Sequence, residues 1–347
     1  MRVSSLRPAL FLALQFAAIA GPVAAWAQEE PRAVNVDNFK RVETDLYFAK
    51  FVRDGSLGRF QHAREPVPID QQDVIRMNRD TLYSSAVVDL DAGPVTVALP
   101  DTGGRFMGMQ VIDEDHYTVV VEYRPGRHTF TRERVGTRYA LFLVRTFVDA
   151  GDPADLKRVH TLQDAIALTQ ARPGEFEIPD WDTSQAAKLR EALNALAAAN
   201  GGLDSARMFG SKEQVDPVQH LLGTAAGWGG NPAADALYAG VVPPANDGRT
   251  AYRLTVRDVP VDGFWSISVY NKDGFFEQNT RGAYSLNNVT ARRDADGSVT
   301  VQFGGCDGYD GNCIPITPGW SYLVRMYRPR KEILGGRWTF PTATPVG

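Results

Sequence analysis

The sequence predicts a mainly β protein with helical segments: two antiparallel β-sandwich, jelly-roll-like domains joined by a helical region. Three observations predict it. Short alternating apolar runs recur in two stretches, each punctuated by Gly, Pro and Asp. Between them lies a segment rich in Ala, Leu, Gln and Lys. Once an N-terminal leader is set aside, 347 − 27 = 320 residues remain, more than one ordinary core holds.

The leader has Arg2 and Arg7, an apolar run from Pro8 to Ala20, and small residues ending at Ala25-Trp26-Ala27. This is the layout of a secretory signal peptide, with cleavage expected after Ala27. The competing reading is a membrane anchor, but Gln15 and Gly21-Pro22 interrupt a run already short of the ~20 residues a span needs. A periplasmic or secreted chain with no membrane span after cleavage is therefore expected. Its formal charge falls from −4 to −4 − 2 = −6, which argues against a nucleic-acid partner.

Residues 28–155 read as an N-terminal β domain with a leading helix. Apolar residues in Val34–Arg53 fall at helical spacing, and YSSAVVDL, PVTVALP, RFMGMQVID, YTVVVEY and YALFLVRTF read as strands. Residues 156–245 read as the helical connector, with helices over Leu156–Arg172 and Thr183–Asn200 and a shorter one opening at Asp216-Pro217. Residues 246–347 read as the C-terminal sandwich, with strands AYRLTVRDV, FWSISVYN, SVTVQF and SYLVRMYRP. Cys306 and Cys313 bracket the turn DGYDGN, and in an oxidising compartment they most simply pair as a disulfide. No His or further Cys stands near enough to make them a metal site.

Two blocks carry more polar and aromatic side chains than a strand needs: MNRDTLYSSAVVDL (Met77–Leu90) and VPVDGFWSISVYNKDGFF (Val259–Phe276). The first block, with RFMGMQVIDEDHYTVVVEY and GTRYALFLVRTFVDAGDPAD, resembles the domain of unknown function 1254. The second, with DGSVTVQF and YLVRMYRPRKEILGGRWTFP, resembles its C-terminal companion, the domain of unknown function 1214. The resemblance implies tandem β-sandwich domains with a helical portion, in bacterial, often exported, proteins that often assemble as homo-oligomers. It carries no catalytic role. Where family members often have an Asn-Trp-Leu-Pro-type segment, this chain has Asn312-Cys313-Ile314-Pro315, so the cysteine pair reads as a local variation.

The candidate chemistry comes from the residues themselves. Arg79 offers a planar fork for an anionic group, Asp80 a base or a partner for that fork, and Tyr83 a proton. Along a strand Asn78 and Asp80 share one face and Arg79 takes the other, unless the block opens in a turn. His116 follows Asp113, Glu114 and Asp115, so a carboxylate could steer an acid/base imidazole there, or the cluster could take a hard cation, although its spacing singles out no metal. His220 stands on the connector helix before Trp228. Trp265, Tyr270, Phe275 and Phe276 could form an aromatic platform, with Asn271 beside it.

Each has a structural counterpart: a knot of Asp, Arg and Asn tying loops, a solvated turn at 113–116, a buried helical histidine, and aromatic core packing. No nucleophile elbow, zinc helix, phosphate loop or dinucleotide fingerprint is present, and no metal or cofactor is expected. The expectation is binding of a small organic or carbohydrate-like ligand between the domains. Hydrolysis or elimination would use Asp80, Tyr83 and His116, with Asn78, Arg79, Asp115, His220, Trp265, Tyr270 and Asn271 as ligand contacts. The alternative is a structural or interaction protein of the cell envelope whose blocks lock domains together.

Overall fold

Strand alternation decides where the cores form. In the computed structural model, which describes residues 30–72 and 75–346, the strands Met107–Asp113, Tyr139–Phe147 and Trp265–Tyr270 are buried on both faces, whereas Val95–Leu99 and Tyr252–Val256 alternate and turn one face outward. The leader expected over residues 1–27 lies outside the described residues.

The chain enters through helix α1 (Phe39–Arg53) and lays down β1 (Gln61–His62), β2 (Thr81–Asp89), β3 (Val95–Leu99), β4 (Met107–Asp113), β5 (Thr118–Glu122) and β6 (Gly126–Phe130). The single turn α2 (Arg132–Val135) leads into β7 (Tyr139–Phe147), then α3 (Pro153–Asp164) into β8 (Ala167–Gln170). One sheet has the order β1-β2-β7-β4-β5, the second β6-β3-β8. Ala86, Val88, Val97, Met109, Phe130 and Phe142 interlock between them.

Helices α4 (Thr183–Ala199), α5 (Ser205–Met208) and α6 (Pro217–Gly227) follow, and α4 and α6 pack on α1 through Val42, Leu193 and Leu222. Asp152, Asp182, Asp204 and Asp216 cap α3 to α6, each carboxylate accepting from a backbone N–H of the first turn. The remaining elements are β9 (Ala236–Val241), β10 (Tyr252–Val256), β11 (Trp265–Tyr270), β12 (Ser285–Asn287), β13 (Val299–Phe303), β14 (Asn312–Ile314), β15 (Ser321–Tyr327), the turn α7 (Lys331–Leu334) and β16 (Thr344–Pro345). They form the sheets β12-β11-β15-β9 and β14-β13-β10-β16, antiparallel except for β13–β14. Their shared core holds Ile267, Val301, Phe303, Trp320, Tyr322 and Val324.

The protein is thus mainly β with some helices, sixteen strands in four sheets among the described residues. Several local expectations change. The helix expected over Leu156–Arg172 ends at Asp164, because Ala167–Gln170 pairs with β3 as an edge strand. Thr183 opens α4, but its cap is Asp182. The connector of residues 156–245 contributes β9 to the C-terminal sheet, and the chain from Arg32 forms one compact unit in which both β halves pack together. The disulfide Cys306–Cys313 is present.

Candidate functional site

Strand register explains what lies between the halves. Across the C-terminal sheet, Asn287, Ser266, Arg325 and Tyr238 stand opposite one another in one row. Paired residues share a face, so this row projects polar groups away from the C-terminal core. Across the N-terminal sheet the row is Tyr83, Arg145 and Gly108. The two rows meet in a seam that is polar where most interiors are apolar.

Hydrogen bonds knit the seam. Arg145 donates from Nη1 to Gln110 Oε1 (2.7 Å) and Asn231 Oδ1 (3.1 Å), and from Nη2 to the Gly229 carbonyl (2.7 Å). Arg325 donates to Ser268 Oγ (2.9 Å), Tyr270 Oη (2.8 Å) and the Arg76 carbonyl (2.7 Å). Asn78 Nδ2 donates to Thr81 Oγ1 (2.9 Å), Tyr327 Oη (3.1 Å) and Tyr83 Oη (3.4 Å). Burial works against both guanidinium charges, yet the surrounding tyrosine oxygens outweigh it for each, joined at Arg325 by Asp80, and both stay ionised.

Burial raises the Asp80 carboxyl, although Arg325 and the Asn287 amide, 3.3 Å from Oδ1, pull the other way. Burial would also raise the Tyr83 phenol. Arg145 and Asn78 outweigh it and hold Tyr83 below the ordinary tyrosine range, while Tyr327 beside it is pushed well above.

On one flank of the seam a cleft of about 610 Å³ opens between the halves. Phe106, Phe147 and Phe264 give it an aromatic floor, and the Tyr327 ring stacks beneath Phe264 at 4.3 Å. Gly108 clears one wall: a Cβ there would lie 2.8 Å from the Tyr123 ring, whose hydroxyl donates to Asp235 Oδ1 (2.9 Å). Arg328 stands over Tyr123, 4.7 Å from the ring centre, in the left-handed region at φ 51°. Among the described residues no carboxylate lies within ion-pair distance of it. Other charges at the cleft are engaged: Arg105 and Arg158 with Asp155, and Asp262 with Arg330. Asp101 and Asp149 each hold a loop N–H and keep acceptor capacity at the rim.

The residues expected to act together are split between places. Asn78, Asp80, Tyr83 and Tyr270 reach the seam, although Met77–Asp80 is an irregular segment ending in a bend before β2, so strand alternation does not apply there. Asp80 is sealed at 1 % exposure, which corrects its reading as a base in contact with substrate. Arg79 donates to the Val67 carbonyl and lies over Tyr284, fastening a loop. Asn271 organises the 271–275 turn through the N–H groups of Asp273 and Phe275. Trp265 is packed in the C-terminal core against Phe340, which corrects the aromatic-platform reading.

His116, Asp115 and His220 sit elsewhere, under α1 and α6. His116 Nε2 accepts from the Gly229 N–H (2.8 Å); Thr224 gives its hydroxyl proton to the His220 carbonyl, so Nδ1–H donates to Thr224 Oγ1 (2.8 Å). Its ring stacks between His220 and Trp228. With both nitrogens engaged and 3 % exposure, His116 is a neutral structural residue, correcting its catalytic reading. His220 donates from Nδ1 to the Met208 carbonyl (2.8 Å), and Asp115 pairs with Arg41.

Sequence reasoning missed Arg145, Arg325, Tyr238, Tyr327 and Arg328. The first two had a usable signal, a lone arginine inside the apolar strands YALFLVRTF and SYLVRMY.

Family models match in the same order as the two β halves. Residues 57–134 match DUF1254 and residues 244–331 match DUF1214, each described as a protein of unknown function. The chain carries both domains in tandem. The crystal structure of the VPA0106 protein from Vibrio parahaemolyticus is similar, with TM-score 0.69 and 18% identity over 90% of this chain and 98% of that one, so the fold is shared. A putative uncharacterized protein from Burkholderia cenocepacia aligns at TM-score 0.48 and 16% identity, over 85% of this chain and 84% of its own. No curated protein matches the chain.

Proposed function

We propose that this DUF1254–DUF1214 protein is exported and binds a small organic acid in the cleft between its β halves. One observation carries the reading: Arg328 stands at an aromatic-floored cleft with no carboxylate of the described residues within ion-pair distance, Asp235 acting on it only at longer range. A guanidinium over a tyrosine face keeps its fork free for a carboxylate. Phe106 and Phe264 suit an apolar body, and Asp101 and Asp149 suit amine or hydroxyl donors on it. Export is supported by the disulfide and by the absence, among the described residues, of a helix long and apolar enough to cross a membrane.

Calorimetric titration with benzoate, L-phenylalanine, glucuronate and neutral glucose tests this. At least one acid should bind the wild type, and Arg328→Ala should weaken it by about 1.5–3 kcal/mol, or roughly ten- to a hundredfold. Glucose binding with none of the acids, or acid binding indifferent to Arg328→Ala, would refute the reading. The bonds of Asn78 and Arg325 across the halves, and of Arg79 to the Val67 carbonyl within the N-terminal half, favour a structural role for most of the first motif block.

A further inference from the structure

The charges that the cleft leaves unpaired stand at opposite ends of its aromatic floor. At one end Arg328 lies over Tyr123, the residue after β5, with Asp235 acting on it only at longer range and Asp262 already bound to Arg330. At the other end Asp149 follows β7, and Asp101 opens the loop before β4. Since β4 lies between β5 and β7, the two ends are two strand spacings, about 10 Å, apart across the sheet. Between them the rings run Tyr123, Phe106, Phe264 and Phe147, with successive centres 5.8, 5.2 and 4.9 Å apart.

The second end is acidic because its cations are already used. Arg105 donates from Nη1 to the Phe147 carbonyl (2.9 Å) and pairs with Asp155, while Arg158 reaches Asp152 (3.2 Å) and Asp155 (2.9 Å). Two guanidiniums therefore match two carboxylates. Among the described residues, Asp101 and Asp149 have no cation within ion-pair distance. Each spends Oδ1 on a loop N–H, that of Gly103 or of Gly151 at 3.0 Å, and keeps Oδ2 for another donor. The phenyl rings between the ends offer no hydrogen bond, so the middle of the cleft suits an apolar body.

We propose that the cleft selects an ω-amino acid, with its carboxylate on Arg328, its ammonium at Asp149 and Asp101, and its alkyl chain along the rings between. The inference rests on the reading of the cleft as an organic-acid site and names the class of acid. An α-amino acid carries both charges on one carbon. With its carboxylate on Arg328, its ammonium would lie beside a guanidinium and out of reach of the aspartates. A dipeptide spans the distance but buries its peptide group against rings that cannot pair with it, which is costly. A plain carboxylic acid fills the Arg328 end and leaves the aspartates unmatched.

Calorimetric titration of the intact chain with hexanoate, 6-aminohexanoate, its isomer L-norleucine and benzoate tests this, because the first three differ only in where an amine stands. Wild type should bind 6-aminohexanoate about tenfold or more tighter than hexanoate or L-norleucine. Asp101→Asn combined with Asp149→Asn should erase that preference; each Asn keeps its Oδ1 for the loop N–H. Arg328→Ala should weaken 6-aminohexanoate and hexanoate alike. The comparison of isomers in wild type decides the matter even where a variant does not fold. Hexanoate or benzoate bound through Arg328 as tightly as 6-aminohexanoate, L-norleucine bound equally well, or a preference that survives the double Asn variant would overturn this proposal and leave the acid site standing. If none of the four binds, the acid site falls and this proposal with it.

Discussion

Replacing Asp45 by Asn should make the protein's stability less sensitive to pH, with a size set by the site. Asp45 lies in α1 at 2 % exposure; Oδ2 accepts from Trp181 Nε1 (2.8 Å), and Oδ1 meets no donor. Burial, reinforced by the Glu114 and Asp115 charges, outweighs the indole bond and Arg41 and lifts its pKa from 3.8 to about 7. A raised folded-state value means that the contribution is fully present below about 3.8 and is lost as pH rises through about 7. Three units at about 1.4 kcal/mol each give about 4 kcal/mol, and relaxation around the ionised carboxylate lowers this toward about 2. Asn imitates the neutral acid. Urea unfolding of wild type and Asp45→Asn from about pH 4 to about pH 8 should give a difference growing by about 2–4 kcal/mol in favour of the variant. Taking the difference cancels Asp113, also raised to about 7 by burial, and His116 and His220, both held low by burial. A pH-independent difference, or one favouring wild type as pH rises, would refute the reasoning.

Two further substitutions test the packing beside the sites. Phe264→Ala removes a ring 2 % exposed and 4.9 Å from Phe147, and should cost about 3 kcal/mol in urea unfolding, the low end for a core phenylalanine because one side faces the cleft. Cys306→Ser with Cys313→Ser opens a loop spanning seven positions and should cost about 2–3 kcal/mol, read as a lower melting temperature at unchanged cleft affinity.

The sheets were legible because alternation and turn residues are local signals. YALFLVRTF reads as a strand whether or not its neighbours are known, and Tyr139–Phe147 is one. The missed β8 and β9 had no such autonomy: Ala167–Gln170 is an edge strand only because β3 offers a partner, and Ala236–Val241 only because β15 does. The site was less legible because it is a product of register. Ser266, Arg325 and Tyr238 are separated in sequence and become one row only after three strands pair. The reverse error has the same origin: DEDH looked like a reactive cluster, but α6 supplies Thr224 and the turn after it supplies Gly229, which occupy both His116 nitrogens.

The composition of the seam bears on which role it plays. A lock between two sheets is most simply made from interdigitated apolar side chains, as in the core around Phe303 and Trp320. Buried ionic groups are commonly neutral or costly beside well-packed apolar residues of similar volume. Here two guanidiniums, a carboxylate and four phenols occupy the seam where the halves meet. Arg325 and Asp80 fit a lock, because their bonds end on backbone and amide groups from the opposite half. Arg145 does so less directly: its hydrogen bonds end on the N-terminal sheet and the loop after α6, while its charge reaches the Tyr238 and Tyr327 phenols of the C-terminal sheet across the seam.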